Sequence, residues 1–353
     1  MFLTPLTRSP GKVRILVVKM SSMGDVIHTL PALSDASIEI PRVRFDWVVE
    51  RSFAEIPSWH PAVDQVIPVS IRAWRKHPGH WMGKEVRNSI RALRRTAYDH
   101  VIDAQGLLKS AAIARLAKGP RAGFSAVSAR EPLAALAYSR HATVPGALHA
   151  IERSRLLFAH VLGYGHPNSA PDYGISGDLF PRQKLCTHPY LVFNHASTWE
   201  TKSWPEPHWR QLIDLATGCR IFLPWDNDAE RERATRIVHG YSHAKVLPRQ
   251  ELGQLAAVLA HAAAVVSVDT GLGHLTAALG TPAVSIYGAT DPARTGTVGA
   301  LQHHLKAHFE CSPCMNRQCA YTGPCQVTPA CYSTVLPHQV WGTLRLYTDR
   351  GKE

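Results

Sequence analysis

The sequence predicts an α/β protein built from two Rossmann-like domains of parallel sheet. Three observations lead there. The chain has 353 residues, 45% of them hydrophobic, which is enough for two cores. Short apolar runs rich in β-branched residues alternate with helical stretches, the pattern of βαβ units. That alternation runs through the chain twice, and a Gly/Pro/Asp-rich stretch at 163–188 separates the two series.

In the first series the strands are VRILVV (13–18), RFDWVV (44–49), DQVIPV (64–69) and HVIDA (100–104). A basic helix from Lys84 to Arg95 and another from Leu107 to Leu116 fall among them. The second series has YLVFNH (190–195), RIFLP (220–224), AKVLP (244–248), AVVSVD (264–269) and AVSIYG (283–288). Its helices are expected to begin near Pro205, Asp228, Gln250 and Gly271. The expected domains are 1–180 and 181–353, with no short repeat and no low-complexity segment.

Charge narrows the class of partner. There are 39 Lys+Arg against 27 Asp+Glu, and residues 1–180 hold 23 of the former and 14 of the latter, a net of +9. Such an excess fits nucleic acid, an anionic membrane surface or a phosphorylated substrate. No recognised nucleic-acid-binding module accompanies the basic segments, so nucleic acid is not the expected partner. No run reaches the roughly 18 apolar residues of a membrane span. The opening MFLTPLTRSPGKVRILVVK reads as a core strand, not a signal peptide, so a cytoplasmic location is expected, where disulfides are rare.

In open parallel sheets ligands sit beyond the carboxyl ends of the strands, so the residues after each strand are the ones to read for chemistry. In SVDTGLGHLTAAL an apolar strand stops at Asp269, and Thr270 and Gly271 start a helix whose free N–H groups suit a phosphate. Gly271 and Gly273 are expected to let a ligand approach the backbone. The plainer reading is an ordinary capped turn. HASTWETKSWPEPHW offers Ser197, Thr198 and Lys202 to a diphosphate, or is simply a polar loop with a solvated lysine. WDNDAE holds a D-x-D, but Asp228 is expected to cap the next helix, with Glu230 left as a ribose or base contact. Between Arg72 and Arg95 lie eight Lys/Arg and one acid, and the beginning, with Arg72, Arg75 and Lys76 beside Trp74, is expected to be unhelical. Five cysteines (Cys311, Cys314, Cys319, Cys325 and Cys331) follow with irregular spacing, open to a metal, free thiols or oxidisable pairs. Finally, KMSSMGD puts a carboxylate, Asp25, in a loop otherwise built like an anion holder.

The stretches KMSSMGDVIHTLPAL, FDWVVE, FAEIPSWH, VIDAQGLLKSA, AREPLA, KSWPEPHW and SVDTGLGHLTAAL together resemble the lipopolysaccharide heptosyltransferase I family (glycosyltransferase family 9), over about Val13 to Pro292. The resemblance implies a GT-B fold, two Rossmann-like domains facing across a cleft, with the acceptor on the first and the donor on the second. It implies ADP-L-glycero-D-manno-heptose as donor, Kdo2-lipid A as acceptor, and inversion at the anomeric carbon with no metal and no cofactor. Asp25 matches the catalytic aspartate. Ser197 and Thr198 match the phosphate-loop hydroxyls, Lys202 the phosphate-binding lysine and Glu230 the ribose-binding glutamate. Asp269, Thr270, Gly271 and His274 match the Asp-Thr-Gly-x-x-His signature. Acceptor contacts are expected from Ser22, Gly24, Gln105, Arg72, Arg75 and Lys76, although Ala73 stands where the pattern has an arginine. The tail C-S-P-C-x-x-R-x-C is closer to heptosyltransferase II, so addition of a later heptose is the alternative. Work on such an acceptor implies a place at the inner face of the cytoplasmic membrane.

Overall fold

The computed structural model describes residues 12–76 and 83–348. The chain divides into two compact units, Met1–Ile175 and Ser176–Glu353, against the expected boundary at 180/181.

The first unit contains β1 (Val13–Val18), α1 (Met23–Ile27), α2 (Leu30–Glu39), β2 (Val43–Glu50), α3 (Glu55–Ser58), β3 (Val63–Val69) and α4 (Ile71–Lys76). It continues with α5 (Lys84–Arg95), β4 (His100–Asp103), α6 (Leu108–Leu116), β5 (Arg121–Phe124), β6 (Arg140–Ala142) and α7 (Ala150–Leu162). The second unit contains β7 (Tyr190–Asn194), α8 (Glu206–Leu215), β8 (Arg220–Leu223), α9 (Asp228–Val238), β9 (Ala244–Val246) and α10 (Leu252–Ala260). It ends with β10 (Ala264–Val268), α11 (Gly271–Ala278), β11 (Ala283–Tyr287), α12 (Pro292–Thr295), β12 (Gln302–Lys306) and α13 (Pro337–Thr348).

Each unit is one six-stranded sheet, ordered β3-β2-β1-β4-β5-β6 and β12-β11-β10-β7-β8-β9. Every strand pair is parallel. The central strands are buried on both faces, which is why they read as continuous apolar runs. In both sheets the order reverses at the middle, between β1 and β4 and between β7 and β10. Loops leaving the carboxyl ends of those strands diverge there and leave a crevice, the usual ligand position in such sheets.

Side chains far apart in sequence lock each unit. Arg155 of α7 forks onto Asp35 of α2 (Nε–Oδ2 2.6 Å), both nearly fully buried. In the second unit Trp204 and Trp209 pack edge to face, centroids 5.1 Å apart, and the Trp204 indole donates to the Val335 carbonyl at 3.0 Å. The C-terminal segment is thereby tied to the start of α8.

Several expectations need correction. Strands β5, β6 and β12 were not anticipated from their short or polar sequences RAGF, RHA and QHHLK. Arg72, Arg75 and Lys76 belong to a helix, α4, where an unhelical stretch is expected: Ile71 and Trp74, three residues apart, are both buried in the core beneath it, and Trp74 N donates to the Ser70 carbonyl. The side chains of Arg72, Arg75 and Lys76 lie outside the described residues. The cap of α9 is Asn227, whose side-chain oxygen accepts from Glu230 N at 3.0 Å; Asp228 is the first helical residue.

Candidate active site

At the β1/β4 reversal, Lys19 and Met20 directly follow β1 and Ser22 precedes α1. Asp25 is the third residue of α1. Its Oδ2 accepts from Ser22 N (2.9 Å) and Ser22 Oγ (2.8 Å), so the carboxylate folds back over the helix start. Lys19 Nζ stands 3.8 Å from Asp25 Oδ1 and donates to the Ala104 carbonyl at 3.0 Å. Burial alone would raise the Asp25 pKa, but the Lys19 charge and the Ser22 hydrogen bonds outweigh it and hold the pKa down to about 2. The Asp25 side chain is still 31% exposed. It is an ionised carboxylate with access to solvent.

The facing loop is built by a buried acid. Asp103, at the end of β4, accepts from Gln105 N, Gly106 N and Tyr138 OH, with Gly106 in the left-handed region (φ 66). Gln105 then uses its side-chain oxygen to accept from Met20 N at 2.9 Å, which fixes the two loops together. Of the expected acceptor residues, the structure brings Ser22, Gly24 and Gln105 together around Asp25. Gly24 is buried inside α1, and Gln105 is already engaged. Lys19 was not singled out from the sequence, although its place directly after a strand was the available signal.

At the β7/β10 reversal a second constellation forms. Asp269 follows β10 and is 7% exposed. Its carboxylate meets Lys202 Nζ at 2.8 Å and accepts from Thr290 Oγ1 at 2.6 Å, while His274 Nε2 stands 3.7 Å away. Burial would raise the Asp269 pKa, but His274 and Lys202 together push it well below the ordinary carboxylate range. Lys202 also lies 4.5 Å from the centre of the Trp199 ring. Ser197 Oγ donates to the Asp269 carbonyl at 3.4 Å, tying the loop after β7 to the loop after β10.

Thr270 is the N-cap of α11; its side chain makes no cap hydrogen bond, and Gly273 N donates to the Thr270 carbonyl at 3.0 Å, so the donors of the first helical turn ahead of Gly273 are not used by the cap side chain. Gly273 has a packing role. A Cβ there would stand 2.8 Å from Ser267 Oγ, so this glycine lets α11 press against β10. Glu230 is on α9 after β8, the strand next to β7, and its carboxylate accepts from Asp226 N at 2.9 Å. Thr290, in the loop after β11, is not among the residues singled out from the sequence, although its place after a strand end was the available signal.

The cysteine segment packs beside this site. Thr201 N donates to the Arg317 carbonyl, Thr201 Oγ1 to the Asn316 carbonyl, and Tyr332 OH to the Thr201 carbonyl at 3.1 Å. All seven cysteines are free thiols. Burial pushes the Cys331 thiol up to about 12. Among the described residues no group of three or more His, Cys, Asp or Glu is placed to hold a metal ion.

Two six-stranded parallel α/β units, each with a loop cluster at its switch point, match the GT-B type fold of solved glycosyltransferases. Residues 86–324 match Glycosyltransferase family 9 (heptosyltransferase), and the chain belongs to that family. It is 51% identical over 317 residues to lipopolysaccharide heptosyltransferase 1 of Pseudomonas aeruginosa, covering 88% of each chain. It is similar to E. coli heptosyltransferase WaaC with ADP, at 50% identity and TM-score 0.79, over 84% of this chain and 94% of that one. The fold is also that of E. coli ADP-heptose LPS heptosyltransferase II, at 18% identity and TM-score 0.73, over 97% of this chain and all of that one.

Proposed function

We propose that this chain transfers L-glycero-D-manno-heptose from ADP-heptose to Kdo of Kdo2-lipid A, the first heptose of the lipopolysaccharide inner core. Heptose transfer in core synthesis follows from half-identity to heptosyltransferase 1 over most of the chain. One geometric observation carries the donor reading. In a chain half-identical to WaaC with ADP, Lys202 is anchored on Asp269 beside the start of α11 and the Ser197–Thr198 loop. A held ammonium and free helix N–H groups are what a departing diphosphate needs. Thr270, Gly271, His274 and Glu230 complete the donor side in this reading. The leaving ADP is already a stable anion, so Lys202 and those amides stand in for both a metal and a general acid.

Asp25 is the base. Its pKa of about 2 makes it a weak one toward a free hydroxyl. The acceptor proton becomes acidic only as its oxygen bonds to the anomeric carbon, so a fully ionised carboxylate is positioned to take it late in the step. Inversion follows from one displacement with the acceptor opposite the leaving group. Ser22, Gly24, Gln105 and the α4 residues Arg72, Arg75 and Lys76 belong to the acceptor side.

The basic half, with a net of +9 over residues 1–180, supports a place at the anionic inner face of the cytoplasmic membrane, as do exposed Leu133 (64%) and Leu136 (79%). No helix among the described residues is long and apolar enough to cross a membrane.

The deciding assay offers ADP-heptose with Kdo2-lipid A in anionic vesicles, with its deacylated form, and with a monoheptosylated acceptor. Transfer to the first two is expected, faster from vesicles. Transfer to the monoheptosylated acceptor alone would replace this reading with that of a later heptosyltransferase. Equal rates from vesicles and from the soluble form would remove the membrane surface from it.

A further inference from the structure

Trp199 stands between the Ser197–Thr198 hydroxyls and the 3₁₀ turn Glu200–Lys202. Two cations share its ring: Lys202 Nζ at 4.5 Å from the centre and the Arg317 guanidinium carbon at 5.4 Å. Arg317 comes from the cysteine segment, and its arrival is held by main-chain contacts. The Arg317 and Asn316 carbonyls accept from Thr201 N and Thr201 Oγ1. The two segments are stitched together, with one cation from each on the same indole.

The two cations differ in one respect. Lys202 has Asp269. Arg317 is exposed and makes no ion pair among the described residues. With Thr198 and Glu200 it lines a pocket of about 790 Å³. Glu200 adds a carboxylate to that wall, and among the described residues it forms no ion pair with Arg317. Asp269 answers Lys202, and Glu200 lies on the Arg317 wall without pairing to it, so the guanidinium is left open to a ligand.

We propose that Arg317 is a second cation for the donor's diphosphate, acting beside Lys202. The proposal rests on the reading of Lys202 as the diphosphate lysine and extends it to a residue on the cysteine segment. A guanidinium presents a planar pair of N–H donors that fits two phosphate oxygens at once, whereas an ammonium supplies a point charge. The cysteine segment would then serve to deliver this arginine to the donor.

Calorimetry with ADP and with adenosine, on wild type, Arg317→Ala, Arg317→Lys and Lys202→Ala, tests it. Arg317→Ala should weaken ADP by ~10- to 100-fold, the range of one or two charge-assisted hydrogen bonds, and leave adenosine unchanged. Arg317→Lys should recover part of the loss. In steady-state assays Arg317→Ala should raise the KM for ADP-heptose. A merely structural arginine would instead weaken adenosine along with ADP, with no recovery by lysine, and that pattern overturns the proposal. ADP affinity within about twofold of wild type in Arg317→Ala, with Lys202→Ala strongly impaired, overturns it and leaves the donor reading standing. If both variants bind ADP normally, the donor reading fails, and the proposal fails with it.

Discussion

Each unit ends a central strand near a lysine–aspartate pair, and the two pairs are built in opposite ways. Lys202 and Asp269 lie 2.8 Å apart, with Asp269 6% exposed in its side chain and held also by Thr290. Lys19 and Asp25 lie 3.8 Å apart, and nearly a third of the Asp25 side chain reaches solvent. In the first pair the aspartate serves the lysine, fixing a cation beside a helix start. In the second the lysine serves the aspartate, keeping a carboxylate ionised while leaving an oxygen within reach. The same two residue types yield an anchored cation or an open, ionised carboxylate according to burial and the number of further partners.

The largest effect should come from the available carboxylate. Asp25→Ala should lower turnover by about 10²–10⁴-fold, the usual contribution of a positioned base, with ADP binding within about twofold of wild type. Sugar transfer and calorimetry measure the two. Retention of more than about a tenth of wild-type turnover would show that Asp25 is not the base and would dissolve the contrast between the pairs.

Next is the buried partner. Asp269→Asn keeps the shape and removes the charge that Lys202 answers, so urea unfolding should show a loss of about 3 kcal/mol, together with weaker ADP binding. A loss under about 0.5 kcal/mol would mean that this pair behaves like an exposed one.

The smallest effect sharpens the comparison through pH. Because the Asp25 pKa is held at about 2, wild-type kcat/KM should show no acid limb from this group across the neutral range. Its ionisation contributes stability above the unfolded carboxylate value, and that contribution is lost as pH falls toward the folded one. Lys19→Met removes the neighbouring positive charge, so the limb should move upward by roughly one unit or more. A kcat/KM profile identical to wild type down to the pH of acid unfolding would show that Lys19 does not set the charge of Asp25.

What was legible in the sequence followed burial. Strands such as VRILVV, buried from Ile15 to Val18, and AVVSV, buried throughout, announce themselves by composition. QHHLK forms β12 at a sheet edge, where partly exposed positions tolerate polar residues and erase the signal. The loops after β1, β7 and β10 stood out because strand ends mark all three and glycines mark the first and the last. Which loops would meet did not, since the sequence carries no strand order. Only the placement of β7 beside β10 brings Lys202 to Asp269, and only β4 beside β1 brings Gln105 to Met20. Near misses such as Asn227 capping in place of Asp228 are shifts of one residue between side chains of equal capping ability. The expected loop around Trp74 failed for a different reason: a buried indole drew a basic stretch into a helix that its charges alone would not predict.

The stitching of Thr201 and Trp204 to Asn316, Arg317, Tyr332 and Val335 also has a consequence for biogenesis. Every hydrogen bond named here around Asp25 joins residues between Lys19 and Tyr138, so that pocket can assemble while the second half is still being translated. The turn that carries Lys202 has to wait for residues 316–335 to leave the ribosome. A nascent chain therefore acquires the surroundings of Asp25 early and the contacts that hold the Lys202 turn almost last. A product stopped short of the cysteine segment would keep β7 and β10 yet lack the main-chain contacts that hold the Lys202 turn.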